Sequence, residues 1–238
     1  DGTPNMLANP YASPIDASAF VNDNALVNEV YFWEHLTAPS AAIPGANTIN
    51  VSMDDISMYN GTMGVPAAND PGTSTTPNGV ISTGQGFSIK AFGAGTVSFT
   101  NSMRLTSGNT TLRNPEGLEK MILKVENTQF DVRSYAGIAF RPDGSAQLDA
   151  NFDSNRLATI ISLYSHLEDG TEQLGIQTRE TFDAEIKIPM GFSSQVESET
   201  NYVISISSLE GSVLPGVTVY LIDHRENVIT ELSANDYE

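Results

Sequence analysis

The sequence predicts an all-β protein of the antiparallel, sandwich or jelly-roll type. Three observations carry that expectation. Apolar residues recur at every second position in most readable segments, helical periodicity is confined to one stretch near the N-terminus, and Gly, Pro, Asn and Asp gather between the alternating runs. Short strands of this kind each have one apolar face to bury, and a second sheet is the usual way to bury it.

Taken in order, the first element is the one short helix. In "SPIDASAFVN" Ser13 is placed as the N-cap, Pro14 at the first helical position and Asp16 at capping-box spacing, over about two turns. "VYFWEH" follows at 30–35 as an aromatic strand whose alternation must bury at least one ring on each face. Residues 34–80 then read as one long loop rich in small and turn-forming residues, a class of segment that is usually functional or mobile. In "GTVSFTN" Val97 and Phe99 share a face; in "EKMILKVEN" Met121, Leu123 and Val125 do so. Tyr202, Ile204 and Ile206 form a third apolar face, and Val217, Val219 and Leu221 a fourth. A one-residue register slip would expose all of them. "NPEG" at 114–117 reads as a seam, dividing the chain into packed sandwich halves at 1–113 and 114–238.

Composition narrows the function classes. Eleven Lys and Arg against 29 Asp and Glu give a formal charge of −18, a field that repels nucleic-acid phosphates and anionic lipid. Residues 1–103 hold eight acidic side chains and a single base, Lys90. There is no cysteine, so no disulfide framework, thiolate zinc site or cysteine nucleophile is available. No apolar run reaches membrane-spanning length, so no membrane insertion is expected. The opening "DGTPN" and closing "SANDYE" read as the ends of a processed product or fragment, with something following the second.

No catalytic constellation stands out. The three histidines, His35, His166 and His224, form no helical metal-binding pair, and there is no nucleophile elbow, Walker loop or dinucleotide fingerprint. With 29 carboxylates, an acidic pair suited to glycoside hydrolysis could be assembled almost anywhere, so the sequence gives that enzyme class no support.

Two binding chemistries remain. "LDANFDSN" places Asp149, Asn151, Asp153 and Asn155 at alternate positions, like the start of a calcium loop. As an EF-hand it fails, because Ser154 stands where glycine is needed and Ile160 where a bidentate glutamate is needed. A looser calcium site could still use Asp149, Asn151 and Asp153 with Asp143 from the nearby "RPDGS" turn, and "MDDIS" at 53–57 is a weaker second candidate. The alternative is a solvated, Asx-rich turn. For carbohydrate, the useful feature is an exposed aromatic; Trp33, Tyr59 and Tyr11 are the candidates, although an aromatic strand such as 30–35 more often belongs to a core.

The succession of motifs also resembles a known module. "NPYASPIDASAF", "VYFWEH", "MYNGTMG", "ISTGQGFSIKA" and "VSFTNSMR", then "LDANFDSNRLATIISLYS", "LGIQTR", "IPMGF", "NYVISI" and "VYLIDHRENVITEL", span nearly the whole chain. In that order they are similar to a module of large secreted and cell-surface proteins of the Bacteroidota, found just before the C-terminal sorting domain read by the type IX secretion machinery. The resemblance implies an extracellular or cell-surface location on the outer face of a bacterial outer membrane, and secretion machinery as a partner through a sorting domain absent from these residues. It implies a non-catalytic role in adhesion, spacing or anchoring, and supplies no active-site residues. The alternative is a carbohydrate-binding module, calcium-dependent or not, with surface glycans or polysaccharide as partner.

Overall fold

The computed structural model describes residues 4–45, 47–72, 76–107, 118–150 and 152–238. The chain forms two compact units: one comprises Asp1–Pro115 together with Asp149–Ser154, the other Glu116–Leu148 and Asn155–Glu238. The seam expected at 114–117, and with it the boundary between 113 and 114, lies outside the described residues. Both units are built from strands, as the alternation predicts.

The first unit contains β1 (Pro4–Ala8), β2 (Ile15–Asp16), α1 (Ala17–Asp23), β3 (Val30–Trp33), β4 (Ile56–Tyr59), β5 (Gly64–Val65), β6 (Val80–Ile81) and β7 (Gly86–Lys90). Five strands make a sheet in the order β1-β7-β3-β4-β5, and β2 pairs with β6 as a separate ribbon. On β3, Val30 and Phe32 turn inward while Tyr31 and Trp33 turn to the opposite face. Phe20 of the helix meets Phe87 edge-on at 5.3 Å and Phe99 at 5.1 Å, within a core that also holds Ile15, Val30, Tyr59, Ile81 and Met103.

Three local expectations need correcting here. The helix is capped by Asp16, whose carboxylate accepts from the Ser18 and Ala19 backbone at 2.8 and 3.3 Å, because Ile15 and Asp16 are held extended against Ile81 and Val80. Ser13 therefore lies outside the helix. "GTVSFTN" is not a ladder strand: Val97 and Phe99 pack on the core, but the Ser98 backbone exchanges its bonds with the Asn24 side chain at 2.7 and 3.1 Å. The stretch 34–80 is not one loop, since β4, β5 and the start of β6 fall within it.

The second unit begins with β8 (Glu119–Asn127) and β9 (Val132–Phe140), paired antiparallel over nine residues each. β10 (Ser154–Asn155) straddles the point where the chain passes from the first unit to the second. β11 (Ile161–His166), β12 (Gln173–Arg179), β13 (Met190–Ser194) and β14 (Val203–Glu210) complete a sheet ordered β13-β11-β12-β9-β8-β14. β12 runs parallel to β9, the one departure from the antiparallel pattern within that order, because β11 turns the chain round before β12 is laid down. Met121, Leu123, Val125, Ile138, Ile161 and Leu163 form its core, with Tyr202, Ile204, Ile206 and Leu221 packed against them. β15 (Tyr220–Asp223) and β16 (Val228–Glu231) make a final hairpin.

Candidate functional site

The polar candidates of the first unit sit where β3 leaves the sheet and the chain returns into β4. Glu34 donates its backbone N–H to the Asp55 carbonyl at 2.9 Å, extending the β3–β4 pairing one step past Trp33 and Ile56. Asp55 is fully buried, and its carboxylate accepts from the Thr37 N–H, the Thr37 hydroxyl and the Asn69 amide, each at 2.8 Å. Asn69 in turn donates from its backbone to the Asp54 carbonyl at 2.8 Å. Asp70, 2% exposed, holds the Gly72 N–H at 2.8 Å. Within "MDDIS" the Asp55 carboxylate therefore serves as an internal acceptor for a folded turn.

Two carboxyls, one at each end of β3, are displaced from their ordinary range. Burial pushes Glu29 up, against the hydrogen bond from Tyr31 at 2.6 Å, the nearby Ser154 hydroxyl and the charge of Lys90. Tyr31 is itself pushed up, by burial first and then by the Glu29 charge beside it. Glu34 is raised by burial, less the bond it accepts from the Ser57 hydroxyl, with the charge of Asp70 adding to the rise.

The aromatic candidates separate cleanly. Tyr59 is 0% exposed and belongs to the core, its hydroxyl 2.8 Å from that of Ser18; it offers no surface to a ligand, which corrects its reading as a loop aromatic. Placing it on β4 opposite Val30 forces the ring inward. Tyr11 is half-buried against the same core and carries the Arg104 guanidinium 5.3 Å above its ring. Trp33 is 42% exposed, and its indole stacks on the His35 imidazole with centroids 3.8 Å apart and planes 23° from parallel. His35 adopts φ +53°, a left-handed backbone that an ordinary side chain takes only when its surroundings impose it. In the sequence His35 is weighed only as a metal ligand, without a partner. Its signal is the two-residue spacing from Trp33; the stacking itself is made with His35 in the left-handed backbone just past the end of β3.

The described calcium candidates each have a local partner. Asp149 and Asp153 belong to the first unit, and the Asp153 carboxylate accepts the Asp149 N–H at 2.8 Å. The Phe152 and Asp153 N–H groups both return to the Asp149 carbonyl at 2.8 Å, so Asp149 and Asp153 close a turn. Asn151 lies outside the described residues. Asp143 belongs to the second unit and forms a bidentate pair with Arg141 at 2.8 and 3.0 Å. Among the described residues no three His, Cys, Asp or Glu side chains gather as metal ligands. Phe152 also docks on the turn after β4: the Asn60 side-chain amide donates to the Phe152 carbonyl, while the Asn60 side-chain oxygen takes the Thr62 and Met63 N–H groups at 3.0 and 3.1 Å.

The fold and this site define an all-β, two-unit chain with no helix long and apolar enough to cross a membrane among its described residues. The family described as Domain of unknown function (DUF8693) matches residues 1–238, and the chain belongs to it. Comparison with the curated proteins and with the solved structures found no match.

Proposed function

We propose that the chain is a non-catalytic extracellular module of a secreted or surface-anchored protein, one that spaces or anchors neighbouring parts of that protein and travels as cargo of the type IX secretion machinery. The observation that supports this reading best is the Asp55 network. The segment with the composition of a mobile functional loop is stapled from within, by a buried carboxylate that accepts three hydrogen bonds from Thr37 and Asn69. A stiff turn held this way suits a spacer, and a net charge of −18 limits non-specific sticking. The motif succession of the Bacteroidota module supports the location, and secretion through a sorting domain outside these residues.

A second reading, carbohydrate recognition, is favoured by one specific observation, the half-exposed Trp33 ring stacked on His35. A panel of polysaccharides, scored for both binding and release of sugar, in calcium and again in chelator, tests both readings. Release of sugar would end the non-catalytic proposal. Saturable binding without release moves the weight to recognition, and loss of that binding in chelator would bring calcium and the Asp149–Asp153 turn into it.

A further inference from the structure

We infer that Trp33 and His35 form a platform for a pyranose ring of an uncharged polysaccharide, with Trp33 as the contact surface and His35 as the positioning residue beneath it. The inference rests on the carbohydrate-recognition reading and gives it a place and a ligand class.

The argument starts from the strand. Alternation along β3 sends Val30 and Phe32 to the core and Trp33 to the opposite face, where 42% of it stays exposed. An exposed indole is ordinarily free to change rotamer, and fixing it on binding costs affinity. Here one ring face is already covered by the imidazole at 3.8 Å, so the indole is held before any ligand arrives. The covering residue sits at φ +53°, and the chain on both sides of it is pinned to the same residue: Glu34 to the Asp55 carbonyl, Thr37 to the Asp55 carboxylate. Strain that is maintained by a buried anchor, next to a large exposed ring, is the arrangement expected of a recognition surface.

The ligand follows from shape and charge. A flat aromatic face with electron density above it attracts the polarised C–H face of a sugar ring, which is apolar on one side and carries hydroxyls at its rim. A chain at −18 repels uronates and sulfated glycans, which leaves neutral polysaccharides as the class.

Trp33 is the only tryptophan in the sequence, so its fluorescence reports this site alone. The test titrates the whole chain with neutral glucan, mannan, xylan and galactan, and with alginate and chondroitin sulfate as polyanions. The expected result is a saturable change in Trp33 emission with a neutral polysaccharide and none with the polyanions. Trp33→Ala removes the fluorophore, so its binding is read by isothermal titration calorimetry beside the parent chain; it should weaken binding by roughly tenfold or more while the melting temperature holds, since the side chain is half-exposed. His35→Asn keeps a residue that tolerates the left-handed backbone but removes the ring. It should weaken binding several-fold and lower the Trp33 emission anisotropy at an unchanged melting temperature, which a merely structural role would not do. Calorimetric binding of a neutral polysaccharide that leaves the emission of the parent chain unaltered and survives Trp33→Ala would overturn the platform and leave carbohydrate recognition standing elsewhere. Preference for a polyanion would overturn the ligand class. Binding of no polysaccharide would overturn the platform together with the reading on which it rests.

Discussion

Residues 54–70 and the β15–β16 hairpin invert the usual link between regular structure and burial. The first segment holds only two short strands, yet none of its residues is exposed. The hairpin is a regular antiparallel ladder, yet none of residues 220–231 is buried; Tyr220 is 57% and Ile229 67% exposed. The difference lies in who satisfies the backbone. In 54–70 the short strands β4 and β5 pair only part of the backbone, and a side chain completes the turn between them: Asn60 takes the Thr62 and Met63 N–H groups. Turn groups paired in this way can leave water beyond the end of the ladder. In the hairpin the ladder pairs the backbone, and the side chains of Tyr220, Ile222 and Ile229 then share one face with no core to enter.

The contrast can be broken most forcefully at Asp55. Asp55→Ala strips an acceptor from three donors at a fully buried point, and should cost about 3 kcal/mol in denaturant unfolding. A loss no larger than that of a surface substitution would mean that the network follows the fold and does not hold it.

A pH series sharpens the comparison, because the two regions respond with opposite sign. Glu34, raised above 4.5 by burial, against its Ser57 bond and with the help of Asp70, binds its proton more readily when folded. Its stabilising contribution is present below about 4.5 and is lost as pH rises through the raised value. Glu34→Gln should therefore flatten the fall in stability on the alkaline side of that window. In the hairpin, Asp223 is held below 3.8, first by the Tyr237 hydroxyl at 2.5 Å and then by the Glu226 and Arg225 N–H groups. Its contribution is present above 3.8 and disappears as pH falls through the lowered value. Asp223→Asn should remove an acid-side loss of stability; the same pH slope for both variants would contradict the assignment. The smallest effect belongs to Ile229→Ser on the open face, expected within about 0.5 kcal/mol of the parent by melting temperature.

Alternation was legible wherever it met a ladder. Met121, Leu123 and Val125, and Tyr202, Ile204 and Ile206, all lie in or against the core of the second unit, as their spacing predicts. It failed where a side chain replaces the ladder, as at Ser98 with Asn24, because a period of two records extension and says nothing about the partner. Tyr59 was misread for a related reason: its neighbours Asn60, Gly61 and Thr62 look like loop, but they form the turn that follows a buried strand. The Asx spacing at 149–155 was visible and chemically ambiguous, since the oxygens that could gather around an ion serve equally well to close a turn on the Asp149 carbonyl. For His35 the spacing was visible too, but its strained backbone comes from an anchor 20 residues further along at Asp55, and no local pattern records that.

The docking of Asp149–Ser154 into the first unit bears on the order of events when the chain is made or exported. A polypeptide that appears N-terminus first presents Asp1–Pro115 early, but the acceptor for the Asn60 amide, the Phe152 carbonyl, arrives only after the whole of β8 and β9 has passed. At ordinary rates of synthesis that interval is on the order of seconds. During it the first unit is a clasp without its pin, and a single cut between the units, or a recombination joint at the same place, would make the wait permanent.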